Sequence, residues 1–119
     1  MQGRRLLLVD DHAMTRAGCA ELLRASGASY EVLEAGDADR ALHLVREHPI
    51  DLIVLDLSLP GRSGLELLRH LHASHPAIPV LVMSAFPEQQ YALNVLKAGA
   101  RGYLEKTSAA DDIVHAVQT

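Results

Sequence analysis

The sequence has a single cysteine, Cys19, among its 119 residues, so no disulfide within the chain and no zinc site built on several cysteines can form. Nor is there an excess of base. Eleven Lys and Arg stand against 15 Asp and Glu, a net charge of −4 at pH 7. A surface of that sign is a poor partner for a phosphate backbone, and direct nucleic-acid binding is not expected of these residues. No apolar run approaches the ~20 residues of a membrane-spanning helix. No charged-then-apolar leader precedes the first apolar run, so a cytoplasmic location with no membrane contact is the expectation. Low-complexity tracts, long linkers and internal repeats are missing too, and residues 1–119 read as one domain. With 49% apolar and 22% charged residues, the composition suits one globular core.

The apolar residues come in short runs separated by helical stretches. Leu6–Val9 follows Arg4-Arg5, which reads as a solvated strand start. Leu52–Leu55 is unbroken and reads as a strand buried on both faces; Val80–Met83 is a similar run. Tyr30–Glu34 alternates polar with apolar, as an edge strand does, and Gly102–Glu105 is a short last strand. Between the first two strands a helix is predicted from His12 to about Ala25, with Met14, Gly18, Cys19, Leu22 and Leu23 on one stripe and Cys19 as a small core residue. Asp37 caps a second helix that runs to about His48 over Ala41, Leu42 and Val45. Ser63 and Glu66 form a capping box for a third, reaching about Ser74 over Leu65, Leu68 and Leu71 or His72. A fourth helix fits Pro87 to Lys97, ended by Ala98-Gly99, and a fifth starts at Ser108 and carries Ile113, Val114 and Val117. Five strand–helix units with right-handed crossovers give a parallel sheet covered on both faces, a doubly wound α/β sandwich.

Ligands of such sheets bind beyond the carboxyl ends of the strands. Those ends carry Asp10 and Asp11 after the first strand, Asp56 after the third, Ser84 after the fourth and Lys106 after the fifth. Three carboxylates on one edge repel one another by about 4 kcal/mol per pair at ~4 Å and an effective dielectric near 20. A hard divalent cation removes that repulsion, and few carboxylates plus water and a phosphoryl oxygen is the habit of Mg²⁺. Lys106 and the Ser84 hydroxyl are then free to hold the other oxygens of a phosphoryl group. The pattern is that of phosphoryl transfer with a carboxylate nucleophile.

Over essentially its whole length the sequence resembles the receiver domain of bacterial two-component response regulators. The match is carried by Asp10-Asp11, by Asp56 with Leu-Ser-Leu-Pro-Gly behind it, by Ser84-Ala85, and by Tyr103-Leu104-Glu105-Lys106, each after its own strand and in order. The resemblance implies a flavodoxin-like fold with strand order 2-1-3-4-5. It also implies that Asp56 is the phospho-acceptor, served by a phosphohistidine on a partner sensor histidine kinase. Asp11 would bind Mg²⁺ directly, Asp10 through water, and the Ser58 backbone carbonyl would join Asp56 as a further ligand. Lys106 would pair with phosphoryl oxygens, Ser84 would move to one of them, and Tyr103 would swing inward as it does so.

The wording Asp11-His12, Leu-Ser-Leu-Pro-Gly and Gly-Tyr-Leu-Glu-Lys-Thr most resembles the subfamily with a C-terminal LuxR-type helix-turn-helix domain. Such an output domain, absent from these residues, is expected as a partner, and transcription regulation as the output. Homodimers are expected through the face bearing Tyr91, Leu93, Val95, Leu96, Val114 and Val117, or through the first and fifth helices. Two positions depart from the common pattern. Ser84 stands where many relatives have Thr, and Thr107 follows Lys106 where many have Pro. A cis bond without proline costs ~3–4 kcal/mol, so a trans Lys106–Thr107 bond is expected.

Plainer readings compete. Asp10-Asp11 could simply cap the first helix, Lys106 could be a surface lysine, and Tyr103 could simply pack. A phosphatase with an aspartate nucleophile needs a second acid two residues on, where this chain has Ser58. A nucleotide- or flavin-binding domain needs a glycine-rich first turn, where this chain has Asp-Asp-His-Ala. The alternative to a phosphorylated switch is a pseudo-receiver that works by binding partners. The seven histidines do not suggest a metal site: His70, His72 and His75 do not share a helix face, and His12, His43, His48 and His115 are scattered, so they read as surface or loop residues.

Overall fold

A strand with Leu6, Leu7, Leu8 and Val9 in a row has no polar face to offer water, so it needs cover on both sides. A computed structural model, which describes residues 4–25, 30–56, 64–84, 97 and 99–105, places that strand inside a five-stranded sheet, second from one edge. In chain order the elements are β1 (Arg4–Val9), α1 (Ala13–Arg24), β2 (Tyr30–Ala35), α2 (Ala38–Glu47), β3 (Leu52–Asp56), α3 (Gly64–Ser74), β4 (Val80–Ser84) and β5 (Gly102–Glu105). The sheet order is β2-β1-β3-β4-β5, and every pairing is parallel. This is the doubly wound, flavodoxin-like arrangement expected from the sequence.

Alternate residues of each strand go to opposite faces, and each face has its own helices. Leu7, Val9, Ile53, Leu55, Val80 and Val82 pack with Ala41, Leu42 and Val45 of α2 and with Leu67, Leu68 and Leu71 of α3. Leu6, Leu8, Val54, Leu81 and Met83 pack on the other side with Cys19, Ala20 and Leu23 of α1. Three layers result. Burying one such Leu or Ile side chain stabilises the fold by roughly 1.5–3 kcal/mol. β2 is an edge strand as expected, with Val32 buried and Glu31 in water.

Two helix stripes differ from expectation. Among the described side chains of α1 the buried ones are Cys19, Ala20 and Leu23, while Met14 is 90% exposed and Gly18 is also on the surface; the Leu22 side chain lies outside the described ones. At 3.6 residues per turn Met14 lies about 180° around the helix from Leu23, so the expected stripe had joined two faces. On α3 Leu67 joins Leu68 and Leu71 in the core and His72 is exposed. Asp37 does cap α2: its Oδ1 accepts the Arg40 backbone N–H at 2.8 Å. Gly99 has φ +117°, a conformation suited to glycine, and a β-carbon there would collide with the His72 ring. The Ser63 cap, the fifth helix and all of the fourth but Lys97 lie outside the described residues, as do the side chains of the expected dimer face.

Candidate functional site

β1 and β3 are parallel neighbours paired from Leu6 with Leu52 to Val9 with Leu55. The next residue on each strand is an aspartate, so Asp10 and Asp56 fall at the same level on one edge of the sheet. Both are buried, at 1% and 0% exposure, and among the described residues they are the only buried polar or charged ones. The parallel strands on either side hold them there. The Asp10 N–H donates to the Ala35 carbonyl of β2 at 3.0 Å, and Asp56 pairs in register with Met83 of β4.

The chain turns sharply after Asp10. Asp10 Oδ1 accepts the backbone N–H of His12 at 2.9 Å, an Asx-type bond that brings the turn over the carboxylate. His12 is the N-cap residue of α1 but its side chain makes no cap hydrogen bond. Its imidazole faces the acids instead. Nδ1 lies 3.0 Å from Asp11 Oδ1, 3.2 Å from Asp10 Oδ1 and 3.9 Å from Asp56 Oδ2, with 58% of the side chain exposed. One ligand atom from each of Asp10, Asp11, His12 and Asp56 lies within 4.8 Å of all the others.

Three carboxylates this close cost about 3–4 kcal/mol per like-charged pair at an effective dielectric near 20. The arrangement is sustained only by positive charge or by hydrogen bonding from outside the trio. Anionic oxygens gathered on one rim, two of their carboxyl groups buried and one open to water, suit a small hard cation that keeps part of its water shell. The donor set fits Mg²⁺ on that chemistry.

The structure brings Asp10, Asp11 and Asp56 together as their strand ends required. Ser84 is the last residue of β4, beside the strand of Asp56, and Tyr103 pairs in register with Val82. The side chains of Ser84 and Tyr103 lie outside the described residues, as do Ser58, Lys106 and the Lys106–Thr107 bond. His12 joins the three acids, although its residue type and spacing alone point to a surface histidine. Its exposure agrees with a surface histidine, but its ring is part of the acid cluster. The available signal was position: His12 directly follows the paired acids at a strand end.

Comparison with known proteins agrees with this geometry. A family model for the response regulator receiver domain matches residues 6–118. The oxygen regulatory protein NreC of Staphylococcus epidermidis is 35% identical over 116 residues, which are 97% of this chain and 53% of that protein. The chain spans about half the length of the curated relatives it matches. Among solved structures, a LuxR-family two-component response regulator from Aurantimonas sp. SI85-9A1 aligns with a TM-score of 0.90 and 36% identity, covering 98% of this chain and 84% of that one. A response regulator from Burkholderia pseudomallei, solved with a phosphorylated aspartic acid, a calcium ion and citrate, aligns with a TM-score of 0.85 and 31% identity over 98% of this chain and 67% of that one.

Proposed function

This chain belongs to the response regulator receiver domain family, and on that premise we propose that Asp56 accepts a phosphoryl group in a Mg²⁺-dependent reaction and so acts as a signalling switch. The observation that carries the reading is the convergence of three carboxylates from two adjacent strand ends, with Asp56 fully buried among them. The Burkholderia pseudomallei relative, with its phosphorylated aspartic acid and calcium ion, supports it by analogy.

In this reading a carboxylate oxygen of Asp56 attacks the phosphorus of a phosphohistidine on a sensor kinase. The P–N bond breaks, and the electron pair leaves with the imidazole, which takes up a proton. Asp11 and Asp56, the Ser58 carbonyl and Asp10 through water would hold the cation. When bound, the cation neutralises the acids and draws charge from the phosphoryl oxygens. Burial of Asp56 at the end of β3 excludes competing nucleophiles and limits the angle of approach. Lys106 pairs with the phosphoryl oxygens, and Ser84 turns toward one of them. Tyr103 follows Ser84 inward, so phosphate shifts the population toward one arrangement of the outer face.

Relatives of about twice this length, a transcriptional regulatory protein among them, and the LuxR-family likeness support an output domain beyond the receiver and regulation of transcription. A C-terminal helix-turn-helix as that domain, homodimers on activation and a cytoplasmic location complete the proposal. The test is intact mass after incubation with Mg²⁺ and a small phosphodonor, beside Asp56→Asn. One phosphoryl adduct is expected on the wild type and none on the variant. An adduct on both would move the acceptor elsewhere. No adduct on either folded protein would leave a module that works by binding partners alone.

A further inference from the structure

Arg16, one turn into α1, reaches back over the acid cluster's backbone. Long side chains on a helix point toward its N-terminus, and this one does so with two separate bonds. Nη1 donates to the Asp10 carbonyl at 2.6 Å, and Nε donates to Glu34 Oε1 at 3.1 Å. The Asp10 peptide is thereby held on both sides, its N–H by the Ala35 carbonyl and its carbonyl by the guanidinium. That carbonyl belongs to a buried residue that has just left the sheet ladder, so it needs a donor from elsewhere. Gly36 leaves the space: a β-carbon there would lie 3.2 Å from Arg16 Nη1. Glu34 itself stands between two arginines, with Arg24 Nη2 3.9 Å from Oε2.

We propose that Arg16, oriented by Glu34, is a positioning residue for the acid cluster, holding the turn from Asp10 to His12 in the geometry that aims the carboxylates at one point. It makes none of the cluster's ligand contacts; it acts through the Asp10 carbonyl. The guanidinium suits the task because its planar fork serves a carbonyl and a carboxylate at once, which a lysine ammonium on a flexible stem does not reproduce. The inference rests on the reading of the cluster as a cation site.

The test uses the full chain, Mn²⁺ as the probe and three variants, Arg16→Ala, Arg16→Lys and Arg24→Ala. Free Mn²⁺ is followed by electron paramagnetic resonance, and amide exchange of the metal-free proteins by NMR. Arg16→Ala and Arg16→Lys are expected to weaken Mn²⁺ binding roughly 10-fold, as loss of a ligand-orienting partner does. The His12 amide, bonded to Asp10 Oδ1, is expected to exchange faster in both while the amides of β4 keep their rates. Arg24→Ala removes a neighbour of Glu34 that does not touch Asp10, and it should keep the wild-type affinity. If Arg16→Ala fails to fold, Arg16→Lys decides. Wild-type affinity and local exchange in the Arg16 variants would overturn the proposal. So would a uniform rise of exchange across the sheet, or an equal loss of affinity in Arg24→Ala. A wild type that binds no Mn²⁺ would overturn the cation site itself, and the positioning role with it.

Discussion

Leu55 and Asp56 are consecutive, both fully buried, and opposite in chemistry. The same is true of Val9 and Asp10 on the neighbouring strand, one residue apart in the same layer. Within the sheet, burial removes apolar surface from water and stabilises the fold. At its carboxyl edge, burial gathers like charges and works against it. The difference teaches where a doubly wound sheet can hold reactive groups: where the ladder ends, the Asp10 N–H is still met by the neighbouring strand and its carbonyl by a helix side chain. A destabilising cluster is tolerated there because the strands behind it supply a surplus.

The most direct way to break the comparison is to remove that surplus. Ile53 sits in the middle of β3 at 0% exposure, packed with α2 and α3. Ile53→Ala is expected to cost about 2–5 kcal/mol in urea unfolding, the range for a buried aliphatic truncated in a close-packed core. The protein that remains folded should still bind the divalent cation with wild-type affinity, since the strand end is held by its neighbours' ladders. A loss below ~1 kcal/mol would mean that the strand centre collapses around the gap, and that the surplus lies elsewhere.

Three residues further on, the sign should reverse. Asp56→Asn removes one charge from the trio without changing its size, and the metal-free protein is expected to gain about 1–2 kcal/mol, part of the repulsion between like charges at this spacing. The wild type should recover the difference on adding Mg²⁺. A cation at one hundred times its dissociation constant stabilises the folded state by about 2.7 kcal/mol, and Asp56→Asn should forfeit most of that. Thermal melts of both proteins with and without Mg²⁺ give all four values. A wild type that melts at the same temperature with and without the cation would remove the reason for gathering the acids.

How far this division is legible in the sequence follows from its physics. Leu52–Leu55 leaves no polar face, and only a strand covered on both sides accommodates it, so the sheet and its parallel order were readable. Asp56 directly after that run, and Asp10 directly after Leu6–Val9, placed carboxylates at strand ends without any knowledge of side-chain geometry. His12 was not readable in the same way. Whether its ring turns toward the acids depends on the turn closed by Asp10 Oδ1 and the His12 N–H, and a residue type does not encode that. Arg16 was hidden for a similar reason, since its two acceptors are a backbone carbonyl and a residue 18 positions away. On α1 the periodicity misled because Met14 and Gly18 count as apolar or small yet lie across the helix from Leu23.

The smallest effect sharpens the comparison from outside. Arg5 and Glu31 pair across the β1–β2 register, with Nη2 to Oε2 at 2.9 Å and Nε to the same oxygen at 3.0 Å. This is charge beside the same sheet, with both guanidinium nitrogens on one carboxylate oxygen, but the Glu31 side chain is 59% exposed. Water already solvates both partners in the unfolded chain, and salt screens them in the folded one. Glu31→Gln is therefore expected to change stability by only about 0–0.5 kcal/mol, and to leave both cation affinity and phosphoryl labelling untouched. Urea unfolding at low and high salt gives the first, the Mn²⁺ titration the second and intact mass the third. A loss as large as that from Ile53→Ala would mean that edge pairing of β2, and not apolar burial at the centre, is what holds β1 in place. The surplus that tolerates Asp10 and Asp56 would then have to be looked for at the sheet's rim.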